Sequence, residues 1–392
     1  MNKGYLGTLI RGFCLNLCGR PQIVVYEDPG ETVNLNSIMD SDGVMKLEIG
    51  PDVNEDNAGD LIRKAYDAWK KPVTASGIIL PSCAALRANG KTEALYWIDG
   101  DIDSARKRLL EKYTAPRIEN AVKTGDTVKP EERASVVKNR IALVTGGAQG
   151  IGEEIVRNLA SSGCLVFIAD LNLDGAKKLA ERINETEGRT AALALQVNVC
   201  DEKSVKSMFR ELAETTGGLD LCVSNAGVLK AGSVLEQALQ DFRFVTDINY
   251  TGFFVISKYA GRLLRTQHKT APFWKTDIVQ INSKSGLEGS NKNGAYAGGK
   301  FGGLGLVASF ALELVDYNIK VNAICPGNFL DGPLWSHPET GLFVQYLKTG
   351  KVPGAKTLAD VRLFYEAKVP MKRGCTGKDL ARALLYIVEQ EY

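Results

Sequence analysis

The chain has 392 residues, of which 44% are hydrophobic and 24% charged, a composition typical of a globular protein with room for two domains. Its 48 Lys and Arg residues nearly balance 46 Asp and Glu residues, which argues against nucleic-acid and membrane-surface binding and favours a small-molecule partner. The eight cysteines lack CxxC spacing and are typical of reduced, buried thiols in an intracellular protein.

The first 18 residues faintly resemble a signal sequence. However, Arg11 interrupts their apolar run and no small-residue cleavage site follows. We also find no stretch that approaches the length of a membrane span. The sequence therefore predicts a cytoplasmic protein without a membrane partner.

Residues 1–122 predict a small α/β module. Apolar runs at 23–27 and 93–98 predict strands, whereas residues 60–71 and 104–113 have helical spacing. No motif in the module indicates a chemistry. No histidine precedes His268, which argues against a histidine-rich zinc domain, and we predict no metal site.

Residues 123–139 are polar and charged, as expected of a linker. From residue 140 to 392 the pattern changes to an alternation of short apolar runs with amphipathic helical segments. Such alternation predicts a Rossmann-type, doubly wound parallel sheet with helices on both faces. The six runs are IALVT, CLVFIA, ALALQV, LDLCVS, DIVQIN and KVNAIC.

A glycine-rich turn, TGGAQGIG, follows the first of these runs and precedes a helical segment. Gly146, Gly150 and Gly152 allow a tight turn, close approach of a pyrophosphate and close helix packing. Asp170 ends the second run, where its carboxylate can accept hydrogen bonds from ribose hydroxyls and repel a 2′-phosphate. Neither Gln149 nor Leu171 supplies a compensating positive charge, so we predict NAD instead of NADP.

Tyr296 and Lys300 are four residues apart on a helical segment and therefore share one face. A neighbouring ammonium stabilises phenolate, which makes such a tyrosine a candidate base. Ser283 lies thirteen residues earlier, at the predicted carboxyl end of a strand, where its hydroxyl can polarise a carbonyl.

In these residues the sequence resembles the short-chain dehydrogenase/reductase family, from about Arg140 to Val388. The resemblance implies that Tyr296 is the general acid/base, that Lys300 holds the nicotinamide ribose, that Ser283 binds the reacting oxygen and that Asn249 supports a proton-relay water. The cofactor-binding positions that follow from the motifs and the resemblance together are Gly146, Gln149, Gly150, Ile151, Gly152, Asp170, Asn198, Asn225, Ala226, Gly227, Tyr296, Lys300, Pro326 and Gly327.

Two residues depart from the family's usual pattern. Asn198 replaces the usual acid near the adenine, and Asp331 stands where a threonine often contacts the nicotinamide carboxamide. The chain also stops after a helical segment, KDLARALLYIVEQ, so we expect the dehydrogenase domain to lack the family's usual final strand. The resemblance further implies a homo-oligomer, either a dimer or a tetramer.

Several segments are similar to the branch of the family that oxidises sorbitol 6-phosphate to fructose 6-phosphate with NAD, namely VQINSKSG, YAGGKFGGLGL, CPGNFLDGPLW and KVPMKRGC. A polyol or sugar phosphate requires a cation that binds phosphate. The candidates are Lys284, which directly follows Ser283, and then Lys292, Lys372 and Arg373.

Two alternatives remain open. The chain could reduce another ketone or a 3-oxoacyl thioester, although Asp170 argues against an NADPH-dependent enzyme. It could instead be a non-catalytic NAD-sensing or assembly module. Residues 328–370 are long for a connection and predict a substrate lid, in which His337 serves a structural role.

Overall fold

The structure is a computed structural model that describes residues 3–18, 21–28, 44–49, 53–54, 56–69, 77–88, 91–112, 117–120 and 136–391. These residues form an N-terminal α/β module and a larger unit built on a six-stranded sheet. Residues 123–135 of the predicted linker lie outside the described residues. Residues 136–139 form a turn in which Val137 is buried.

The N-terminal module contains three helices and six strands among its described residues. They are α1 (Lys3–Cys18), β1 (Ile23–Glu27), β2 (Val44–Ile49), α2 (Ala58–Trp69), β3 (Gly77–Leu80), β4 (Cys83–Ala88), β5 (Lys91–Asp99), α3 (Ile102–Glu111) and β6 (Arg117–Asn120). Four strands form a mixed sheet in the order β1-β5-β4-β2. β1 and β4 run antiparallel to β5, and β2 runs parallel to β4.

The larger unit alternates strands and helices. Its elements are β7 (Ile141–Thr145), α4 (Gly150–Ser161), β8 (Leu165–Asp170), α5 (Leu173–Glu187), β9 (Ala192–Gln196), α6 (Glu202–Thr216), β10 (Leu221–Ser224), α7 (Leu239–Thr246), α8 (Gly252–His268), β11 (Thr276–Ile281), α9 (Gly294–Leu314), β12 (Ile319–Ile324), α10 (Pro333–Ser336), α11 (Leu342–Lys348), α12 (Leu358–Ala367) and α13 (Gly377–Glu389).

Its six strands form one parallel sheet in the order β12-β11-β10-β7-β8-β9. Buried residues of α4, α5 and α13 pack on one face, and buried residues of α6 and α8 together with partly buried residues of α9 pack on the other. The doubly wound parallel sheet predicted from the alternation of apolar runs is therefore confirmed. The order reverses between β7 and β10, and ligands of such sheets bind in the crevice at the carboxyl ends of these strands.

β12 forms one edge of this sheet, and among residues 136–391 no strand follows it. The ammonium of Lys320 in β12 donates hydrogen bonds to the carbonyl oxygens of Ile387 and Val388 at the end of α13, at 2.8 and 3.2 Å. It also lies 3.1 Å from the buried carboxylate of Asp277. A lysine thus joins the edge strand to the last helix.

Helix α1 is buried because it lies between the N-terminal sheet and helices α6 and α8. Its apolar run is interrupted by Arg11, which is fully buried. The guanidinium donates to Asp220 Oδ2 at 2.7 Å, to Gln267 Oε1 at 2.6 Å and to the carbonyl oxygen of Gln22 at 2.6 Å. The arginine therefore links the module to the larger unit through a buried ion pair.

One helical segment, Gly294–Tyr317, is long and apolar enough to cross a membrane by length and composition alone, with a mean hydropathy of 1.3 over an 18-residue stretch. The prediction that no stretch approaches that length was therefore wrong. The segment comprises α9 and one further turn, and it packs along β12 in the larger unit. It also carries Tyr296 and Lys300.

Candidate active site

The glycine-rich turn joins β7 to the first turn of α4. Gly146 and Gly150 have φ values of +61° and +59°, which favour glycine because a side chain strains that backbone conformation. A Cβ at Gly152 would lie 2.0 Å from the carbonyl oxygen of Gly146. Gln149 caps α4 without a side-chain hydrogen bond, so the backbone N–H groups of the first turn are available to an anion.

The predicted ribose-binding acid lies beside this turn. Asp170 Oδ2 accepts a hydrogen bond from the backbone N–H of Ala148 at 3.0 Å, and Oδ1 accepts one from that of Asn172 at 3.0 Å. Asn198 lies at the end of the neighbouring strand β9, exposed, and its Oδ1 accepts from the backbone N–H of Cys200 at 3.0 Å. Both residues thus lie at the carboxyl ends of strands, on the same side of the sheet as the crevice between β7 and β10.

The Asn225-Ala226-Gly227 segment is tied to the glycine turn. Asn225 Nδ2 donates to the carbonyl oxygens of Thr145 and Gly146 at 3.0 and 2.9 Å. The hydroxyl of Thr145 in turn accepts from the backbone N–H groups of Asn225 and Ala226, both at 3.1 Å. These four bonds hold two of the predicted cofactor-binding loops in one position.

Ser283, Tyr296 and Lys300 meet at the carboxyl end of β11. Tyr296 lies beside Ser283, whose side chain acts to lower the pKa of the tyrosine. Lys300 lies one turn further along α9, with Nζ 5.6 Å from the centroid of the tyrosine ring. Its ammonium is buried and donates to the carbonyl oxygen of Ile281 at 2.8 Å. The three residues that sequence spacing selected are therefore neighbours in the fold.

Burial shifts the pKa values of both titratable members. It lowers the pKa of Lys300 to about 8, an effect that Cys325 opposes. It raises the pKa of Tyr296, and the side chain of Ser283 acts in the opposite direction. In the ligand-free protein Tyr296 is thus a phenol, since its ordinary pKa is already near 10.

Asn249 lies in a single π-helical turn, Asp247–Thr251, between α7 and α8. Its Oδ1 accepts from the backbone N–H of Val228 at 2.9 Å, and its Nδ2 donates to the carbonyl oxygen of Val228 at 2.8 Å. A Cβ at Gly227 would lie 3.3 Å from Asn249 Oδ1 and 3.8 Å from Lys300 Nζ. The π-turn is therefore held against both the Asn225–Gly227 loop and the lysine.

Asn282 is a positioning residue that the sequence analysis missed. Its Nδ2 donates to the carbonyl oxygen of Lys300 at 3.0 Å and to Gln280 Oε1 at 2.7 Å. Its Oδ1 accepts from the backbone N–H of Ser283 at 2.8 Å. The amide thus fixes Ser283 relative to α9. The signal in the sequence was a pair of amides, Gln280 and Asn282, which interrupt and follow the apolar residues at the end of β11.

Pro326 and Gly327 follow β12 and face the same edge of the sheet. The carbonyl oxygen of Pro326 accepts from the backbone N–H of Lys284 at 3.0 Å, and that of Gly327 accepts from the Cys375 thiol at 3.6 Å. The loop after the sixth strand is therefore attached to the residue that directly follows Ser283.

Residues 328–370 carry α10, α11 and α12 and have an apolar cluster of their own, which includes Trp335, Phe343 and Tyr346. The ring of Pro333 reaches the glycine turn, since a Cβ at Gly150 would lie 3.3 Å from Pro333 Cδ. We call this segment the lid. Asp331, which departs from the family's pattern, forms a 2.8 Å ion pair with Arg362 of α12.

The predicted phosphate-binding cations are dispersed. Lys284 lies beside Ser283 and is partly buried, while Lys292 lies exposed in the loop before α9 with a φ of +54°. Lys372 donates to the carbonyl oxygen of Ala367 at 2.8 Å, and Arg373 pairs with Asp379 of α13 at 2.7 Å. The last two therefore have partners away from the Ser283 site.

His337 Nδ1 accepts from the backbone N–H of Thr340 at 3.2 Å in an exposed turn of the lid. No group of three or more metal-ligating side chains occurs within the described ranges.

Comparison with known proteins places these features in a family. The sequence profile described as short chain dehydrogenase matches residues 140–336. The chain belongs to the short-chain dehydrogenase family. It is an oxidoreductase of that family with an additional N-terminal module before the matched region.

Three relatives illustrate the range of this short-chain dehydrogenase's neighbours. Sorbitol-6-phosphate 2-dehydrogenase of Escherichia coli is 35% identical over 249 residues, which are 63% of this chain and 91% of the relative. The crystal structure of sorbitol-6-phosphate 2-dehydrogenase from Erwinia amylovora has a TM-score of 0.59 and 37% identity, covering 64% of this chain and 93% of that one. The 3-oxoacyl-[acyl-carrier-protein] reductase of Aquifex aeolicus is 28% identical over 65% of this chain and 92% of the relative.

Proposed function

We propose that this short-chain dehydrogenase oxidises a secondary alcohol of a polyol phosphate, converting sorbitol 6-phosphate to fructose 6-phosphate with NAD. The observation that carries the proposal is the grouping of Ser283, Tyr296 and Lys300 beside the glycine turn. A hydrogen-bonding hydroxyl, a phenol and an ammonium at a dinucleotide cradle match the requirements of alcohol oxidation.

The glycine turn fits a dinucleotide. A Cβ at Gly152 would overlap the carbonyl oxygen of Gly146, so the turn excludes side chains at the point where pyrophosphate oxygens approach the N-terminus of α4. Asp170 would accept hydrogen bonds from the adenosine ribose. Within residues 136–391 no Lys or Arg forms an ion pair with Asp170, which supports NAD over NADP because a 2′-phosphate would meet an uncompensated carboxylate.

The chemical step needs a base, a hydrogen-bond donor and a hydride acceptor. Tyr296, as the phenolate, would accept the proton of the substrate hydroxyl while the hydride leaves the carbon that bears this hydroxyl, and Ser283 would hold the oxygen that becomes a carbonyl. NAD, when bound, supplies the hydride acceptor. Lys300 holds the nicotinamide ribose and, as an ammonium, lowers the pKa of Tyr296.

Asn249 contributes through the position of its π-turn. Both polar atoms of its side chain are bonded to the backbone of Val228, so the side chain is occupied in holding the turn. The main chain of that turn is then the group that supports a water on the path by which the proton of Tyr296 returns to solvent. π-turns of this kind occur frequently at functional sites.

The substrate assignment has two supports. The relatives from Escherichia coli and Erwinia amylovora are named as sorbitol-6-phosphate 2-dehydrogenases. Lys284 also directly follows Ser283, and Lys292 lies in the loop before α9, so both phosphate-binding candidates of the sequence analysis are on the chain segment that joins Ser283 to Tyr296. A 3-oxoacyl thioester reductase is the second candidate, supported by the name of the Aquifex relative and disfavoured by Asp170.

A cofactor and substrate screen tests the proposal. The full chain should form NADH with sorbitol 6-phosphate more efficiently than with sorbitol, and it should use NAD in preference to NADP. Turnover of an acetoacetyl thioester with NADPH as the better reaction would overturn both the substrate and the cofactor. NAD binding without turnover of any polyol, polyol phosphate or thioester would favour an NAD-sensing module.

The proposed enzyme is cytoplasmic and homo-oligomeric, either a dimer or a tetramer. Cys83, Cys164 and Cys222 are buried free thiols, as expected in a reducing compartment. Leu312 near the end of α9, Val315 just after it, and Phe254 on the neighbouring α8 are 81%, 60% and 43% exposed. Large exposed apolar side chains on adjacent helices are typical of a surface that a second subunit covers.

A further inference from the structure

We propose that Lys292, Lys351 and Lys368 form an anion subsite, at the junction of the lid and the loop before α9, that binds the phosphate group of the substrate. The inference rests on the proposed function, because it assumes that the substrate is phosphorylated. It adds Lys351 and Lys368 of the lid to the cations expected from sequence and gives Lys351 the central role.

Lys351 connects the lid to the loop that leads into α9. It follows α11, and its ammonium donates to the carbonyl oxygen of Asn291 at 3.2 Å. The same ammonium lies 4.1 Å from the ring centroid of Tyr346 in α11. Lys292 is the next residue of that loop. Lys351 is thus partly buried and held in place while its charge has no carboxylate partner among the described residues.

Lys368 approaches the same aromatic cluster from α12. Its ammonium lies 4.2 Å from the ring centroid of Phe364 and 5.5 Å from that of Tyr365. Tyr365 stacks on Tyr346 with their ring centroids 5.6 Å apart. Lys351 and Lys368 therefore lie against two neighbouring, stacked rings of the lid.

The ammonium of Lys351 is repelled by those of Lys368 and Lys292 without a compensating acid. Among the described residues no carboxylate lies within 4.0 Å of any of the three, although Arg362 of α12 and Arg373 in the loop before α13 do have such partners. Burial lowers the pKa of Lys351, and the charges of Lys368 and Lys292 lower it further. A phosphate dianion between them would replace this repulsion with charge-assisted hydrogen bonds.

The cluster also lies on the side of the reacting group. The loop residue that Lys351 contacts, Asn291, lies just before the first turn of α9, which carries Tyr296. Burial raises the pKa of Tyr346, and Tyr365 and Tyr296 raise it further. The ammonium of Lys351 lies over the ring of Tyr346. The order Tyr296, Tyr346, Lys351 therefore runs from the proton acceptor to the cations. This order suits a chain-like polyol whose phosphate is at the opposite end from the oxidised carbon.

The test compares Lys351→Gln and Lys368→Gln with wild type on sorbitol 6-phosphate and on unphosphorylated sorbitol. Removing a charged hydrogen-bond partner should lower kcat/KM for the phosphorylated substrate about 10- to 100-fold, mainly through KM. The rate with sorbitol should stay unchanged, and Lys351→Arg should restore most of the loss. Lys356→Gln, an exposed lysine of the same lid, is the control that should have no effect. Equal losses on both substrates, or a loss only in Lys284→Gln, would overturn the subsite.

Binding of inorganic phosphate separates failure of the subsite from failure of the proposed function. Calorimetric titration of the full chain should give phosphate binding that weakens about tenfold or more in Lys351→Gln and is unchanged in Lys356→Gln. If the chain turned over no polyol phosphate but retained this difference, the substrate would be wrong and the anion subsite would stand. If phosphate bound wild type and Lys351→Gln equally, the subsite would be wrong whatever the substrate.

Discussion

In the proposed mechanism Lys300 must be an ammonium to hold a ribose and to lower the pKa of Tyr296, yet burial lowers its own pKa to about 8 in the ligand-free protein. Its only hydrogen-bond acceptor among the described residues is the carbonyl oxygen of Ile281, which offers little compensation for the lost hydration of a charge. The charge of this residue is therefore sensitive to pH within the range of ordinary assays.

We predict that NADH affinity falls above about pH 8 in the Tyr296→Phe variant, which removes the phenol from the titration. The affinity should be full below the lowered pKa, where Lys300 is charged, and should fall by up to about tenfold per pH unit above it. Fluorescence titration of NADH between about pH 6.5 and 9.5 measures this around the lowered pKa. An affinity that stays constant across that range would show that the charge of Lys300 is not needed for binding.

Asp170 determines the cofactor in this account. Replacing it with Ser and Leu171 with Arg removes the repulsion and supplies a cation for a 2′-phosphate. The ratio of kcat/KM for NADP to that for NAD should rise by about a hundredfold or more. Asp174→Ser, in the first turn of α5, is the matched control and should leave the ratio unchanged. An unchanged ratio in the double variant would remove Asp170 from cofactor selection.

Sequence spacing could select Ser283, Tyr296 and Lys300 because local geometry positions them. Tyr296 and Lys300 share one face of a helix, and Ser283 follows the end of a strand. Asn282 and Lys351 were not found. Asn282 acts by bonding to a carbonyl oxygen 18 residues away on α9, and Lys351 acquires its neighbours only after the lid folds onto the loop before α9. Contacts of this kind depend on tertiary packing, which spacing along the chain does not encode.

Among the helices and strands, the parallel strands were predictable because each is a short apolar run bounded by turns. The π-turn at Asn249 was not, since nothing in DINYTGFF distinguishes a π-turn from an ordinary helical turn. The prediction about membrane-length segments failed at α9 for a related reason. Its alanines, leucines, valine and phenylalanines raise its hydropathy, while its glycines serve close packing, as at Gly303, where a Cβ would lie 2.6 Å from Gln280 Nε2.

The glycine turn gives a prediction about α4. Gly152→Ala places a methyl group 2.0 Å from the carbonyl oxygen of Gly146, so α4 must shift away from the turn. We expect a loss of about 1–3 kcal/mol in the free energy of unfolding together with loss of NAD binding, measured by urea denaturation and NADH titration.

Gly305→Ala is the matched control for that substitution. Gly305 is exposed on α9, and a Cβ there would meet no atom within 4 Å, so alanine should stabilise the helix by about 0.5–1 kcal/mol. Normal NAD binding by Gly152→Ala would contradict the role given to the turn.

For the molecule as a whole, the N-terminal module is tied to the dehydrogenase unit by the buried Arg11–Asp220 pair, whose members are 209 residues apart. Sequence analysis treated Arg11 only as an interruption of an apolar run, because its partner cannot be identified from local pattern. The same carboxylate accepts from the backbone N–H of Ile141 at the start of β7 and from the indole of Trp274.

Arg11→Met should therefore destabilise both units together. Leaving Asp220 buried without its charge partner should cost about 3–5 kcal/mol, seen as one cooperative urea transition at a lower midpoint. Arg87→Met removes the more exposed pair with Glu48 and should cost less than about 1 kcal/mol. Two separate transitions, with only the earlier one shifted, would show that the module folds independently of the larger unit.

The central claim is that Tyr296 moves the proton of an alcohol whose hydride goes to NAD. The most direct measurement is the absorbance of NADH formed from sorbitol 6-phosphate and NAD by wild type and by Tyr296→Phe, with NADH affinity measured on the same samples. The account predicts turnover by wild type and loss of turnover in the variant at nearly unchanged NADH affinity. Turnover by Tyr296→Phe at the wild-type rate would contradict it.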